Sequence, residues 1–140
     1  MGALSSKAKA FEAEKHEREE AAFGPPSKTM DSSEYAQELV HLVSKTIESH
    51  LNLLPVPGKR RSFEAKQMIT RELERSDGKY AGDENGKHNG MMYYVKVITQ
   101  VKDWPWIFVK IYEPPLATGV SRVQFKGMKK MKEDFKLVTF

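Results

Sequence analysis

Asp83, Glu84 and His88 place two carboxylates and an imidazole close together in a polar, glycine-rich stretch. Such groups can act as general acids and bases, or bind a metal ion, when a structure orients them. The sequence around them offers no orienting partner, and it lacks the spacing and the closing glutamate of a calcium-binding EF-hand loop. We therefore interpret residues 74–90 as a solvated hairpin loop and predict that the protein is not an enzyme.

The other side chains with metal-binding or nucleophilic chemistry are isolated. His41 and His50 fall on a predicted helix without a matching cluster of ligands, so we expect them at its surface. The chain contains no cysteine, which excludes a thiol nucleophile, thiolate metal ligands and a disulfide framework. The sequence therefore predicts no cofactor and no metal site.

The composition is typical of one modest domain. The chain has 140 residues, of which 30% are charged and 39% hydrophobic, and its formal net charge is +4. Acidic and basic residues are interspersed along the chain, which argues against a nucleic-acid-binding surface. Because the sequence contains neither a long apolar run nor a signal peptide, we expect a cytoplasmic protein.

Residues 1–30 are predicted to form a flexible, charged N-terminal extension that ends in a Gly/Pro linker. Residues 7–23 contain good helix formers but almost no apolar stripe, so little surface would be buried to offset the entropy of ordering. The prolines at 25 and 26 end any helix before them. The folded domain is therefore expected to span residues 31–140.

The first six residues also fit a lipidation pattern. Gly2 follows the initial methionine and Ser6 occupies the position that N-myristoylation favours. One acyl chain gives only marginal membrane binding. We favour an unmodified Gly2 and expect membrane association only if this residue is acylated.

Deletion of residues 1–22 is expected to leave the midpoint of thermal unfolding almost unchanged, because these residues bury little apolar surface. Differential scanning calorimetry of the full chain and the truncated chain checks this expectation. A large drop in the midpoint would show that the charged segment packs on the domain.

A helix is predicted to start at residues 31–34 (DSSE), which supply an N-cap acceptor and a glutamate three residues on. Beyond it, apolar residues recur at alternating spacings of four and three, which indicates one helix of about five turns ending before Pro55. This predicted apolar stripe consists of Ala36, Val40, Val43, Ile47, Leu51 and Leu54. Residues 62–73 fit either a strand or a helix.

Residues 89–116 are predicted to form an antiparallel hairpin with one apolar face. The inward-facing residues of its two strands are Tyr93, Val95, Val97 and Val101, and Ile107, Val109 and Ile111. The remaining aromatics are expected on a more exposed face. A further strand is predicted at residues 120–125, and the tail 135–140 is apolar enough to dock. Together with the helix, this order predicts an α+β fold in which one long helix packs across four or five antiparallel strands.

This order and these residues resemble the cystatin superfamily, and most of all its cysteine-free stefin branch. Residues 93–97 (YYVKV) are similar to the third strand of stefins, and residues 108–112 (FVKIY) are similar to the fourth. Residues 113–116 (EPPL) resemble the loop that follows that strand. The lysine-rich residues 129–132 and the closing Phe140 match the end of a stefin chain.

The resemblance covers about residues 24–140 and implies reversible, non-covalent inhibition of papain-like cysteine proteases of the cathepsin type. In the family, an N-terminal trunk with a glycine and two hairpin loops form a wedge that fills the protease cleft and excludes substrate without chemistry. The resemblance assigns protease binding in this chain to Gly24, Lys87, His88, Asn89, Gly90, Pro114, Pro115 and Leu116.

The first loop departs from the family motif Gln-Val-Val-Ala-Gly, and two placements stay open. Counting back from Tyr93 puts Gly90 on the motif glycine and residues 86–89 on the rest, so that a lysine and a histidine replace two valines. Residues 67–71 keep the glutamine and put Arg71 on the glycine. This departure leaves an alternative function open, an interaction protein with a cystatin fold that has lost inhibition and binds another protein.

Overall fold

The computed structural model describes residues 23–54, 61–73, 90–115, 123–132 and 135–140. Its elements, in chain order, are β1 (Met30–Asp31), α1 (Glu34–Leu42), α2 (Ser44–His50), β2 (Glu64–Glu72), β3 (Met91–Ile98), β4 (Trp106–Glu113) and β5 (Gln124–Met131). The predicted α+β class is confirmed.

The five strands form one antiparallel sheet in the order β1-β2-β3-β4-β5. The ambiguous residues 62–73 form a strand rather than a helix, because β2 pairs with β3 along its whole length and with β1 on its other edge. Gln37 on α1 fixes the entry into β2: its amide donates to the carbonyl of Phe63 (2.7 Å) and accepts from the N–H of Ala65 (2.8 Å). The predicted boundary between residues 30 and 31 lies inside β1.

The prediction of one long helix was wrong. The helix starts within the predicted residues 31–34, where the N-cap Ser33 accepts a hydrogen bond from the Ala36 N–H (3.0 Å) through its hydroxyl. However, α1 and α2 are two short helices that meet at Val43. Asn52 adopts a left-handed conformation (φ 56°) that turns the chain out of the helical path. Leu54 therefore leaves the predicted stripe and is 83% exposed.

The main core lies between the two helices and one face of the sheet. Ile47 on α2 is completely buried, as are Val95 and Val97 on β3 and Val109 and Ile111 on β4. The inward-facing pattern predicted for the hairpin strands is thus confirmed, except that Val101 lies beyond the end of β3 and is only partly buried. Burial of these apolar side chains is the dominant stabilising contribution.

The opposite face of the sheet carries a second core, which contradicts the expectation that its aromatics are exposed. Tyr94 and Phe108 are almost completely buried there. Phe23 from the N-terminal segment packs against this cluster, as do Leu137 and Phe140 from the tail. The predicted docking of the tail is confirmed, and this docking is what removes the aromatics from water.

The last strand was misplaced by the prediction, since β5 spans Gln124–Met131 rather than residues 120–125. Its core-facing residues, Phe125 and Met128, are separated by a register shift opposite Lys110 and Ile111. A bulge of this kind breaks the alternation of apolar and polar residues by which a strand is recognised. The lysine-rich sequence therefore showed no strand pattern.

Candidate protein-binding site

Three chain segments enter or leave the sheet at one end. β2 ends at Glu72, β3 begins at Met91 and β4 ends at Glu113, and these residues pair across the sheet in that order. The N-terminal segment joins them, because Phe23 forms a bridge with Leu73. We call this end of the sheet, where Glu72, Met91 and Glu113 lie side by side, the loop end. It gathers positions that are far apart in the sequence.

Gly24 is held against β2 rather than projecting freely. Its N–H donates to the carbonyl of Glu72 (2.9 Å), and its carbonyl accepts from Nε of Arg71 (2.8 Å). Ser27 continues this alignment, since its N–H donates to the carbonyl of Thr70 (2.8 Å). These bonds fix the direction in which the chain reaches Gly24 and place that glycine at the loop end.

Gly90 forms the base of the connection between β2 and β3. Its carbonyl accepts a hydrogen bond from the Leu73 N–H (2.7 Å). This bond joins the two residues that flank the connection 74–89. The φ of Gly90 is +119°, a conformation open to glycine, and a Cβ placed there would lie 2.5 Å from the hydroxyl of Tyr112. Gly90 is therefore required by backbone geometry and by the approach of the Tyr112 ring.

Gly90→Ala is expected to lower the free energy of unfolding by about 1–3 kcal/mol, because alanine strains the backbone at this φ and collides with Tyr112. Gly127→Ala is the matched control. Its added methyl group would lie 3.7 Å from the Phe140 ring, an ordinary contact, so we expect a change within about 0.5 kcal/mol. Urea denaturation of both variants measures the difference, and equal stabilities would show that Gly90 is not constrained.

Pro114 and Pro115 follow β4 directly and are partly buried at the loop end. Lys87, His88, Asn89 and Leu116 lie outside the described residues. The second placement of the first-loop motif, on residues 67–71, falls within β2, where every residue pairs with β3. Those residues form a strand and not a loop, whereas the placement on residues 86–90 falls on the connection between β2 and β3.

Aromatic contacts missed by the sequence interpretation bind the loop end together. Phe23 packs edge-on against Tyr112, with ring centroids 5.9 Å apart. On the other face, the hydroxyl of Tyr35 on α1 donates to Oε2 of Glu113, and the Tyr35 ring packs edge-on against Tyr93. The contact between Phe23 and Tyr112 could have been suspected from the sequence, because Phe23 is an aromatic residue directly before Gly24. No local pattern indicated the second, because it joins α1 to the end of β4.

Buried ionisable groups stand beside this end of the sheet. Glu113 is only 3% exposed, and burial raises the pKa of its carboxyl above the usual value. Burial likewise raises the pKa of Tyr112, so its phenol stays neutral. Burial at the loop end therefore disfavours the charged forms of both Glu113 and Tyr112.

Glu113→Gln tests the cost of this buried carboxylate. The folded protein takes up the Glu113 proton at a higher pH than the unfolded chain, because burial raises the folded-state pKa. The stability due to this proton is fully present below the unfolded pKa and is lost as pH rises through the folded pKa. From about pH 7 to about pH 4, wild type should therefore gain stability relative to the variant. Urea titrations across this range measure the gain, and a constant difference would contradict it.

The described residues contain no group of three or more histidine, aspartate or glutamate side chains that could hold a metal ion. None of the helices in the described part of the chain combines the length and apolarity that crossing a bilayer requires. The fold and the site thus define a small α+β domain with a composite loop end. No protein-family model matches the chain, and a search of curated proteins finds no significant match.

Proposed function

We propose that this protein is a reversible, non-covalent inhibitor of papain-like cysteine proteases in the cytoplasm and that it inserts the loop end of its sheet into the protease cleft. The observation that supports this proposal is the meeting of Gly24, Gly90 and Pro114 at one end of one sheet. A wedge needs its contact segments side by side on a rigid base. The resemblance to stefins supplies the class of target.

The mechanism is exclusion of substrate by shape. The segment that passes Gly24 would lie along the substrate groove, and the connection 74–89 would enter the cleft beside the catalytic cysteine of the protease. Pro114 and Pro115 would flank it. The two prolines are conformationally restricted, so their contact costs little ordering entropy on binding. No bond forms or breaks in the inhibitor.

A second candidate function rests on the connection between β2 and β3. This connection spans residues 74–89 and carries Lys87 and His88 where the family presents valines. Charged side chains are costly to desolvate in a narrow cleft. In this alternative, the protein has a cystatin-like fold without inhibitory activity and uses the same loop end to bind another protein.

The proposal is tested by placing a charge at the predicted contact. Pro115→Glu should weaken inhibition of a papain-like protease at least about tenfold, because a buried unpaired carboxylate is strongly unfavourable. Ser49→Glu, at an exposed position on α2, is the control and should inhibit as wild type does. Thermal midpoints verify that both variants are folded. Equal inhibition by both variants would remove the loop end from the interface.

A further inference from the structure

The fold separates charges that alternate along the sequence. Strands β2–β5 contain three acidic residues, and two of them face the helices: Glu113 bonds to Tyr35 of α1, and Glu72 pairs with Met91 of the main core. The third, Glu64, is ion-paired with Lys66 (2.8 Å). The sheet surface opposite the helices is left with a strong excess of basic side chains.

The lysines of this surface stand beside aromatic rings. Lys126 Nζ lies 5.9 Å from the Tyr112 ring centroid and Lys129 Nζ lies 5.2 Å from that of Phe140, and both lysines are exposed. Lys96 is placed over Trp106, with Nζ 4.8 Å from the ring centroid. We call the surface formed by Lys96, Lys126, Lys129 and the exposed Lys136 of the tail the lysine face.

Exposed apolar side chains adjoin these cations. Phe135 and Val138 in the tail are 50% and 52% exposed, and Lys96 Nζ donates to the Phe135 carbonyl (3.1 Å). This surface therefore combines positive charges with apolar side chains that could contact acyl chains.

We propose that the lysine face, with Phe135 and Val138 at its edge, docks on a membrane surface of anionic phospholipid. The ammonium groups complement headgroup phosphates and carboxylates, and the aromatic rings suit the boundary between headgroups and acyl chains. Lysine side chains can keep their charged ends at the headgroups while their stems cover apolar surface. This docking is independent of any acyl chain on Gly2 and of protease inhibition.

A membrane fits these residues better than a nucleic acid does. A single-stranded nucleic acid would need exposed rings on which bases stack. Tyr94 and Phe108, in the middle of the sheet surface, are instead covered by the tail through Leu137 and Phe140. The exposed Val138 cannot hydrogen-bond or pair with a phosphate backbone, whereas at a lipid surface it can contact acyl chains.

Cosedimentation of the unacylated full chain with vesicles tests the proposal. Vesicles of phosphatidylcholine alone should bind little, and vesicles that also contain phosphatidylserine should bind strongly at low salt and weakly at high salt. The double variant K126Q/K129Q should lower the partition coefficient about 25-fold, at about fivefold for each lysine. Phe135→Ala should also lower it, because the half-exposed Phe135 adjoins Lys96 of the lysine face. Lys45→Gln, on the helix side of the sheet, should bind as wild type does.

Several results would overturn the proposal. Equal binding to neutral and anionic vesicles would show that electrostatic attraction does not contribute to binding. Wild-type binding by the K126Q/K129Q variant would show that another surface contacts the membrane. Tighter binding to single-stranded RNA than to anionic vesicles, with no effect of Phe135→Ala, would assign the lysine face to nucleic acid. Thermal midpoints of the variants exclude unfolding as the cause of lost binding.

Discussion

Ile47→Ala is expected to lower the free energy of unfolding by about 2–5 kcal/mol. Ile47 is completely buried in the main core, in the same cluster as Val97 and Val109 of the sheet. Truncation removes apolar contacts and leaves a cavity, because strands held by hydrogen bonds on both sides cannot collapse into the space. The loss should therefore lie well above that of an average surface substitution.

Leu42→Ala is the matched control for this experiment. Leu42 ends α1 only five positions before Ile47, yet it is 65% exposed, so its truncation should change stability by less than about 0.5 kcal/mol. Guanidinium denaturation followed by tryptophan fluorescence measures both variants. If the two midpoints move equally, or if Ile47→Ala leaves the midpoint in place, the helices do not cover the sheet in this way.

Replacement of residues 86–89 by Gln-Val-Val-Ala, with Gly90 retained, is expected to strengthen inhibition of a papain-like protease by about 2–4 kcal/mol of binding free energy. The gain comes from apolar burial of two valines in place of a lysine and a histidine, less the entropy lost when the connection orders. Gly90 stays because its backbone conformation and the Tyr112 ring require it. Inhibition constants of the graft and of wild type measure the gain.

A second graft separates apolar contact from mere loss of charge. Gly-Ser-Gly-Ser at residues 86–89 removes Lys87 and His88 without adding apolar surface, so it should gain much less than the valine graft. If both grafts fail and wild type also binds no papain-like protease, the alternative of a non-inhibitory interaction protein is favoured. If wild type already inhibits tightly, Lys87 and His88 are not a handicap, and the connection reaches the protease in another way.

The parts of the fold that sequence predicted correctly depend on local periodicity. Val95, Val97, Val109 and Ile111 alternate with other residues in two short runs, and alternation fixes which face of a strand is buried. The helical stripe is equally local and was correct through Leu51. The predicted stripe was wrong at Leu54, because the left-handed conformation of Asn52 ends the helix. The periodicity of apolar residues does not reveal a single residue in that conformation.

The parts that sequence missed depend on contacts between distant segments. Tyr94 and Phe108 were expected at the surface because nothing near them in the chain shows that residues 135–140 return to cover them. The contacts that support the loop end were missed for the same reason, because they also join distant segments. The glycines and prolines of the loop end could be singled out by type, but the support from Phe23 and Tyr112, and from Tyr35 and Glu113, arises only when the sheet is assembled.

The most direct test of the proposed function is the equilibrium inhibition of a papain-like cysteine protease by the purified wild-type protein, followed with a small fluorogenic substrate. Inhibition through the loop end predicts that protease activity falls as the protein is added, that it returns on dilution, and that the protein is recovered uncleaved. Full protease activity in the presence of a large molar excess of the protein, or inhibition that disappears as the chain is cleaved, would contradict it.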